Sequence, residues 1–262
     1  MTRKIIAATV AAASVATGVA LAVPVSASVP PPVTVSGNGS TQTHTSPQFA
    51  LHAGGADVTT RAGSVKYTAS HHGPVSWQDP YLTTGYNGGK RAGTALPVQL
   101  GKQGNPVASV SYTTTRDFWG DVGFDIWLTE TPNKHSYAQM TDGGPGTTEI
   151  MIWFSSVGLP LPRTGYYANI DGMKFGTIVG LAAQGHAKSG TRAGWNNVNF
   201  ILDAHKPGAF IHHGHLALNP FLEFAVKKGW VKPHDYIMAI NNGAELTYGG
   251  MSVTGYSLTG LR

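Results

Sequence analysis

An all-β fold with a single helix is what this sequence predicts, and three observations carry the prediction. The 262 residues include 34 glycines and 16 prolines with only 12% charged residues, a balance that favours strands and turns over helices. From Gly104 onward, apolar and polar residues alternate with period two in one run after another. One segment alone, Leu218 to Trp230, reads as a helix. Many strands and one helix point to a β-sandwich or jelly roll with the helix packed on it.

The strands follow in order. Between Phe49 and Gly104 the signal is weak, with Val65 to Thr68 a candidate strand and His71 to Pro74 and Asn87 to Lys90 reading as turns. Val107 to Thr114 alternates as a half-buried strand does. In Gly120 to Thr129, Val122, Phe124, Ile126 and Leu128 take one face, and Gly123, Asp125, Trp127 and Thr129 the other. Thr147 to Phe154, Tyr166 to Ile170, Met173 to Val179 and Asn197 to Ala204 come next, with Asp171-Gly172 as a hairpin turn. The helix should be capped by Asn219, begin at Pro220 and end at Gly229, with Glu223 and Lys227 able to pair on its surface. Tyr236 to Asn241, continuing through Glu245, and Met251 to Leu258 close the chain.

Residues 1–27 resemble a secretory signal peptide. Arg3 and Lys4 precede an apolar stretch from Ile5 to Val23, and Val25-Ser26-Ala27 offers a small-residue cleavage site. Thr9, Ser14, Thr17 and Gly18 interrupt the stretch and Pro24 ends it, which argues against a membrane anchor. Residues 28–48, rich in Pro, Ser and Thr, read as a flexible leader, and 49–262 as one domain. A secreted, extracellular protein is expected, monomeric and free of the membrane after cleavage. No cysteine is present, so disulfides, cysteine catalysis and cysteine zinc sites are excluded. The net charge of +5 arises from few acids, 13 against 18 scattered bases, and no nucleic-acid motif appears, so no nucleic acid partner is expected. His212, His213 and His215 lie close in sequence but read as a polar loop, so neither metal nor cofactor is expected.

Function is sought among the acids. Asp57, Asp79, Asp117, Asp142 and Asp171 lie in turn-like surroundings, Asp121 begins a strand, and these read as solvated surface. Three carboxylates stand apart. Glu149 and Glu245, two of only four glutamates, sit in apolar or strand-like runs far apart in sequence, and Asp125 lies mid-strand. A carboxylate in such a run is costly unless paired or used. A pair of them suits acid/base or nucleophilic glycoside chemistry. Glu149, Met151 and Trp153 share a face, while Ile150, Ile152 and Phe154 point to the core. Asp125 shares a face with Trp127 and could hydrogen-bond Glu149 from the neighbouring strand. A flat indole beside a carboxylate suits a sugar cleft; a Trp in the core and a Glu at a strand edge is the competing reading.

The stretches Gly120 to Trp127, Glu149-Ile150-Met151-Ile152-Trp153 and Gly243-Ala244-Glu245, with the helix ahead of the last, resemble glycoside hydrolase family 12. The resemblance covers roughly Leu100 to Leu258. It implies a secreted endo-β-1,4-glucanase or xyloglucanase on a β-jelly roll of two packed, curved antiparallel sheets, the helix on the convex side. It implies Glu149 as nucleophile, Glu245 as general acid/base, and Asp125 as the aspartate bonded to the nucleophile. Met151, Trp153 and Trp127 would bind the β-glucan substrate. The Asn-Asn-aromatic-Trp-Gly opening usual in that family is absent, and Trp77 is the one early tryptophan. The alternative is a jelly roll that binds glycans without cutting them.

Overall fold

The computed structural model describes residues 33–36, 39–42, 48–61, 64–70, 78–87, 90–132, 146–158, 167–170, 172–183, 194–202 and 213–262. The signal segment, Trp77, His212, the turns at 71–74 and 142–146 up to Pro145, and Asp171 lie outside these residues.

Seventeen strands and one helix are described. The early ones are short: β1 (Val33–Val35), β2 (Ser40–Gln42), β3 (Ala50–His52), β4 (Asp57–Arg61), β5 (Ser64–Thr68), β6 (Tyr81–Asn87), β7 (Lys90–Ala92) and β8 (Val98–Gln99). The later ones are long: β9 (Gly104–Thr114), β10 (Trp119–Thr129), β11 (Thr147–Val157), β12 (Tyr167–Ile170), β13 (Met173–Ala183), β14 (Gly194–Leu202), β15 (His213–Ala217), β16 (Tyr236–Tyr248) and β17 (Gly250–Leu261), with helix α1 (Asn219–Lys227) between β15 and β16. A six-stranded sheet runs β1-β4-β5-β17-β9-β15. An eleven-stranded sheet runs β12-β13-β14-β11-β10-β16-β6-β3-β2, with β7 and β8 paired to β6 and β16.

The two sheets meet over one core. Val122, Phe124, Ile126 and Leu128 of β10 are fully buried, as are Ile150 and Ile152 of β11, which is the face the alternation assigned to the core. Val58, Tyr67, Val110, Tyr112 and Val253 of the smaller sheet belong to the same core. Phe124 touches Phe154 edge-on at 5.0 Å and reaches Tyr256 of β17 at 6.1 Å. Each such ring contributes roughly 1.5–3 kcal/mol by leaving water.

Four expectations change. The leader is not without regular structure, because β1 pairs with β4 and β2 with β3. The weak region from 49 to 104 contains six strands where one, Val65 to Thr68, was expected: β3, β7 and β8 are only two or three residues long, and β6 is buried on both faces from Tyr81 to Gly85 and so shows no alternation. The large sheet is mixed rather than antiparallel, since β11 and β14 pair in parallel. Asn219 does not cap α1: Leu218 is the cap residue, with no side-chain cap bond. The Asn219 amide instead donates to the Gly104 carbonyl at 2.8 Å and to Asn105 Oδ1 at 3.0 Å, and its Oδ1 accepts from Gln103 Nε2 at 2.9 Å. Those partners anchor the helix start to the start of β9, and the tertiary bonds win over the local cap. Gly229, at φ 73°, ends the helix as expected.

The helix lays Phe221, Leu222 and Ala225 inward. Phe221 meets Phe175 of β13 at 5.0 Å and Phe200 of β14 at 5.1 Å, both edge-on. Val198 and Phe200 alternate with Asn197 and Asn199, so α1 covers the core face of the large sheet and leaves the other face to the polar residues.

Candidate functional site

Register builds the site. On β10, Asp121, Gly123, Asp125 and Trp127 share the face away from the core. On β11, Glu149 lies opposite Trp127, Met151 opposite Asp125 and Trp153 opposite Gly123. On β16, Glu245 lies opposite Asp121, Gly243 opposite Gly123 and Asn241 opposite Asp125. Farther out, Tyr81 and Thr83 of β6 lie opposite Gly243 and Asn241, and His52 of β3 opposite Tyr81. On the other side, Asn197 and Asn199 of β14 lie beside Glu149 and Met151. One face of six adjacent strands thus carries carboxyls, amides and aromatic rings.

Glu149 and Glu245 flank β10 from either side. Their partners on β10 are six positions apart, which on a flat sheet would separate them by about 20 Å. The charge of Glu245 is nevertheless felt at Glu149, where it adds to burial in raising the pKa. One register shift, at Val122/Gly123, falls between those two positions, and two more, at Trp119/Gly120 and Trp127/Leu128, lie just beyond them; such irregularities bend a strand and raise its twist. Gly120 makes the closest approach possible: at φ 153°, a Cβ there would lie 2.0 Å from the Glu245 carbonyl oxygen.

Glu149 is 7% exposed. Its Oε2 accepts two hydrogen bonds of 2.7 Å, from Trp195 Nε1 and Asn197 Nδ2. Burial and the Glu245 charge push its pKa up to about 7, against the pull of those two donors. Glu245 is half-buried, and its pKa is raised by burial while a hydrogen bond with Asp121 draws it back. Asp125 is raised well above the usual carboxylate range, by burial first and then by the charge of Glu149. Two neighbouring carboxyls cannot both ionise freely, so the group holds protons that isolated acids would lose.

All three sequence-derived carboxylates therefore fall on one face. Asp125 feels the charge of Glu149, and the described hydrogen bonds to the Glu149 carboxylate come from β14. Of the three expected sugar contacts, Met151 is buried, with its sulfur 3.5 Å from the Asn197 amide; Trp153 is half-buried; and Trp127 packs 5.7 Å from Trp195.

Reading the sequence missed five residues. Asp121, taken for surface, is 2% exposed and lies directly opposite Glu245. Asp79, taken for a turn, is open to solvent yet hemmed in by protein and by the charges of Glu245 and Glu149, which raise its pKa. Trp195 and Asn197 hold Glu149. His52 stacks on Tyr81 at 4.8 Å and 18°, and its Nδ1 accepts from the Gly54 amide at 3.1 Å. For Asp121 the signal was available: it alternates with Asp125 and Trp127. Trp195, Asn197 and Asn199 likewise alternate with Val198 and Phe200. No group of metal-ligating side chains occurs among the described residues, and no described helix is long and apolar enough to cross a membrane.

No family sequence model matches the chain, and no curated protein matches it in sequence. Solved structures do match. A native family 12 xyloglucanase from Bacillus licheniformis aligns at TM-score 0.70 and 18% identity, covering 88% of this chain and 100% of its own. A metagenome-derived family 12 endoglucanase aligns at 0.70 and 19%, covering 88% and 98%. Endoglucanase cel12A from Rhodothermus marinus aligns at 0.67 and 19%, covering 88% and 99%. At these identities the likeness establishes the fold, a jelly roll of this architecture across most of the chain.

Proposed function

We propose that this protein is a secreted enzyme that cuts β-1,4-glucan chains internally with retention of anomeric configuration. The observation that carries the reading is that Glu149 and Glu245 share one polar, aromatic face of the large sheet, with β10 between them, and that the charge of Glu245 is felt at Glu149. The fold shared with family 12 endoglucanases and a xyloglucanase supports it.

Glu149 is the nucleophile. Trp195 and Asn197 donate to its Oε2, which favours the carboxylate and leaves Oε1 to attack. Glu245 is the general acid. Burial raises its pKa, and the neighbouring carboxylates disfavour a further negative charge. Oε1 of Glu149 bonds to the anomeric carbon as the glycosidic bond breaks, and the Glu245 proton passes to the leaving oxygen. Water then attacks the same carbon, gives a proton to Glu245, and frees Glu149 from the ester. Such a mechanism places the carboxyl groups about 5–5.5 Å apart. Trp127, Trp153 and Met151 line the cleft beside the reacting bond, where indole faces pack on the C–H faces of glucose rings. Asp125, half-buried beside Glu149, keeps the cluster's proton count high enough for Glu245 to stay acidic.

The test is reducing-sugar release from carboxymethyl-cellulose, barley β-glucan and xyloglucan by wild type, Glu149→Gln and Glu245→Gln. Wild type should release sugar. Glu149→Gln should release none, and Glu245→Gln should lose about 10²–10⁴-fold. Full activity of Glu149→Gln would sink the nucleophile assignment. Binding of these glucans without release by the wild type would make the protein a glycan-binding jelly roll instead.

A further inference from the structure

Asp121 has no part in the chemistry described above, yet its place is unusual. It lies directly opposite Glu245 in the β10–β16 ladder, on the same face. It is 2% exposed, and its Oδ2 is buried with no hydrogen-bond partner. Opposed residues of an antiparallel pair bring their side chains within reach of one another, and the two carboxyls are felt by each other: burial first and then the Glu245 charge raise the Asp121 pKa, while Asp121 draws that of Glu245 down against burial. The groups around the pair are nearly all acids: Asp125 on β10, Asp79 ahead of β6, and Glu149 on β11, with neutral Tyr81 on β6 and His52 on β3 beyond them. His52 is held towards its neutral form by burial, so no cation among these groups offsets the carboxyls.

A carboxylate oxygen buried without a donor is costly when charged. Two carboxyls hydrogen-bonded to each other need a proton between them, since neither can donate once both are ionised. We propose that Asp121 is a positioning residue that shares one proton with Glu245, so that the pair, not Glu245 alone, is the proton reservoir of the site. The catalytic part of this inference rests on the reading of Glu245 as general acid; the shared proton itself does not.

Asp121→Asn separates the two. The amide keeps the shape and donates a permanent hydrogen bond to the Glu245 carboxylate, while one negative charge disappears. Both changes favour ionised Glu245. With only four glutamates in the chain, protein labelled with ¹³C at glutamate carboxyls gives four signals, and Glu245→Gln assigns the one in question. The Glu245 signal should titrate about one pH unit or more lower in Asp121→Asn than in wild type. The alkaline limb of kcat/KM should move down with it while KM stays unchanged. Asp121→Ser, smaller and neutral, should shift the titration the same way if the asparagine variant does not fold. Superimposable titrations of wild type and either folded variant would overturn the proposal. An inactive wild type whose Glu245 still shifts on substitution would overturn only the enzymatic reading and leave the shared proton standing.

Discussion

The two faces of the eleven-stranded sheet use the same backbone for opposite purposes. One face buries Phe124, Ile126, Ile150, Ile152, Val198 and Phe200 against the smaller sheet and α1, where every side chain gains by leaving water. The other buries or crowds Asp79, Asp121, Asp125, Glu149 and Glu245, where every charged form loses by it. Because successive residues of a strand alternate between these faces, stability and reactivity interleave one residue at a time. The core face must therefore supply the excess stability that lets the polar face remain strained by its own charges.

The largest expected effect breaks the core face. Phe200 is fully buried against Phe221, Phe224 and Trp230. Phe200→Ala should cost about 3–5 kcal/mol. Calorimetry should show Tm lower by roughly 10 °C. The pH profile of the protein that stays folded should keep its wild-type shape, because Phe200 points away from the carboxyls. A profile that moved with the Tm would mean the two faces are coupled.

The next effect has the opposite sign. Burial and the Glu245 charge push the Glu149 pKa up to about 7 in the folded chain, against about 4.3 for a glutamate in the unfolded one. Between those values the folded state binds the proton more tightly, so stability falls as pH rises from about 4 to 7 and stays lowered above. Glu149→Gln has no such proton to lose. It should therefore be more stable than wild type at pH 8, by about 1–3 kcal/mol, with the advantage vanishing near pH 4. A variant less stable than wild type at pH 8 would show that the Glu149 carboxylate contributes more through Trp195 and Asn197 than burial takes away.

The same contrast explains what could be read from the chain and what could not. The core face of β10 and β11 was evident because alternation over eleven residues leaves little choice of face. The three carboxylates followed, being conspicuous on strands. The early strands β1 to β8 gave little period to read, and with them His52 and Tyr81 escaped notice, while Asp79, just ahead of β6, was taken for a turn. Trp195 and Asn197 escaped for a different reason. They reach Glu149 through the parallel β11–β14 pair, a pairing of strands that are not neighbours in sequence. Such a pair is set by tertiary topology, and no local pattern encodes it. Asp121 was misread because it stands at the start of a strand, where an acid is usually solvated. Only the register with β16 reveals its partner.

The smallest effect tests that long-range contact directly. Asn197 Nδ2 donates to Glu149 Oε2 at 2.7 Å and its Oδ1 accepts from the Asn199 amide, so the residue links a neutral network to the charged one. Removing the amide in Asn197→Ala takes away one of two donors that favour the Glu149 carboxylate. A hydrogen bond to a charged group is worth about 1.5–3 kcal/mol, and one pKa unit corresponds to about 1.4 kcal/mol. The acid limb of kcat/KM should therefore rise by about one pH unit, with Trp195 still holding the ring of contacts around Oε2. The core is untouched, so Tm at pH 4, where Glu149 is protonated in both states, should change little, whereas Tm at pH 8 should fall. An acid limb that stays in place would mean that Trp195 alone sets the ionisation of Glu149. The amide would then serve to hold Asn199 and Met151 in the cleft wall, and β14 would contribute shape to the polar face rather than charge control.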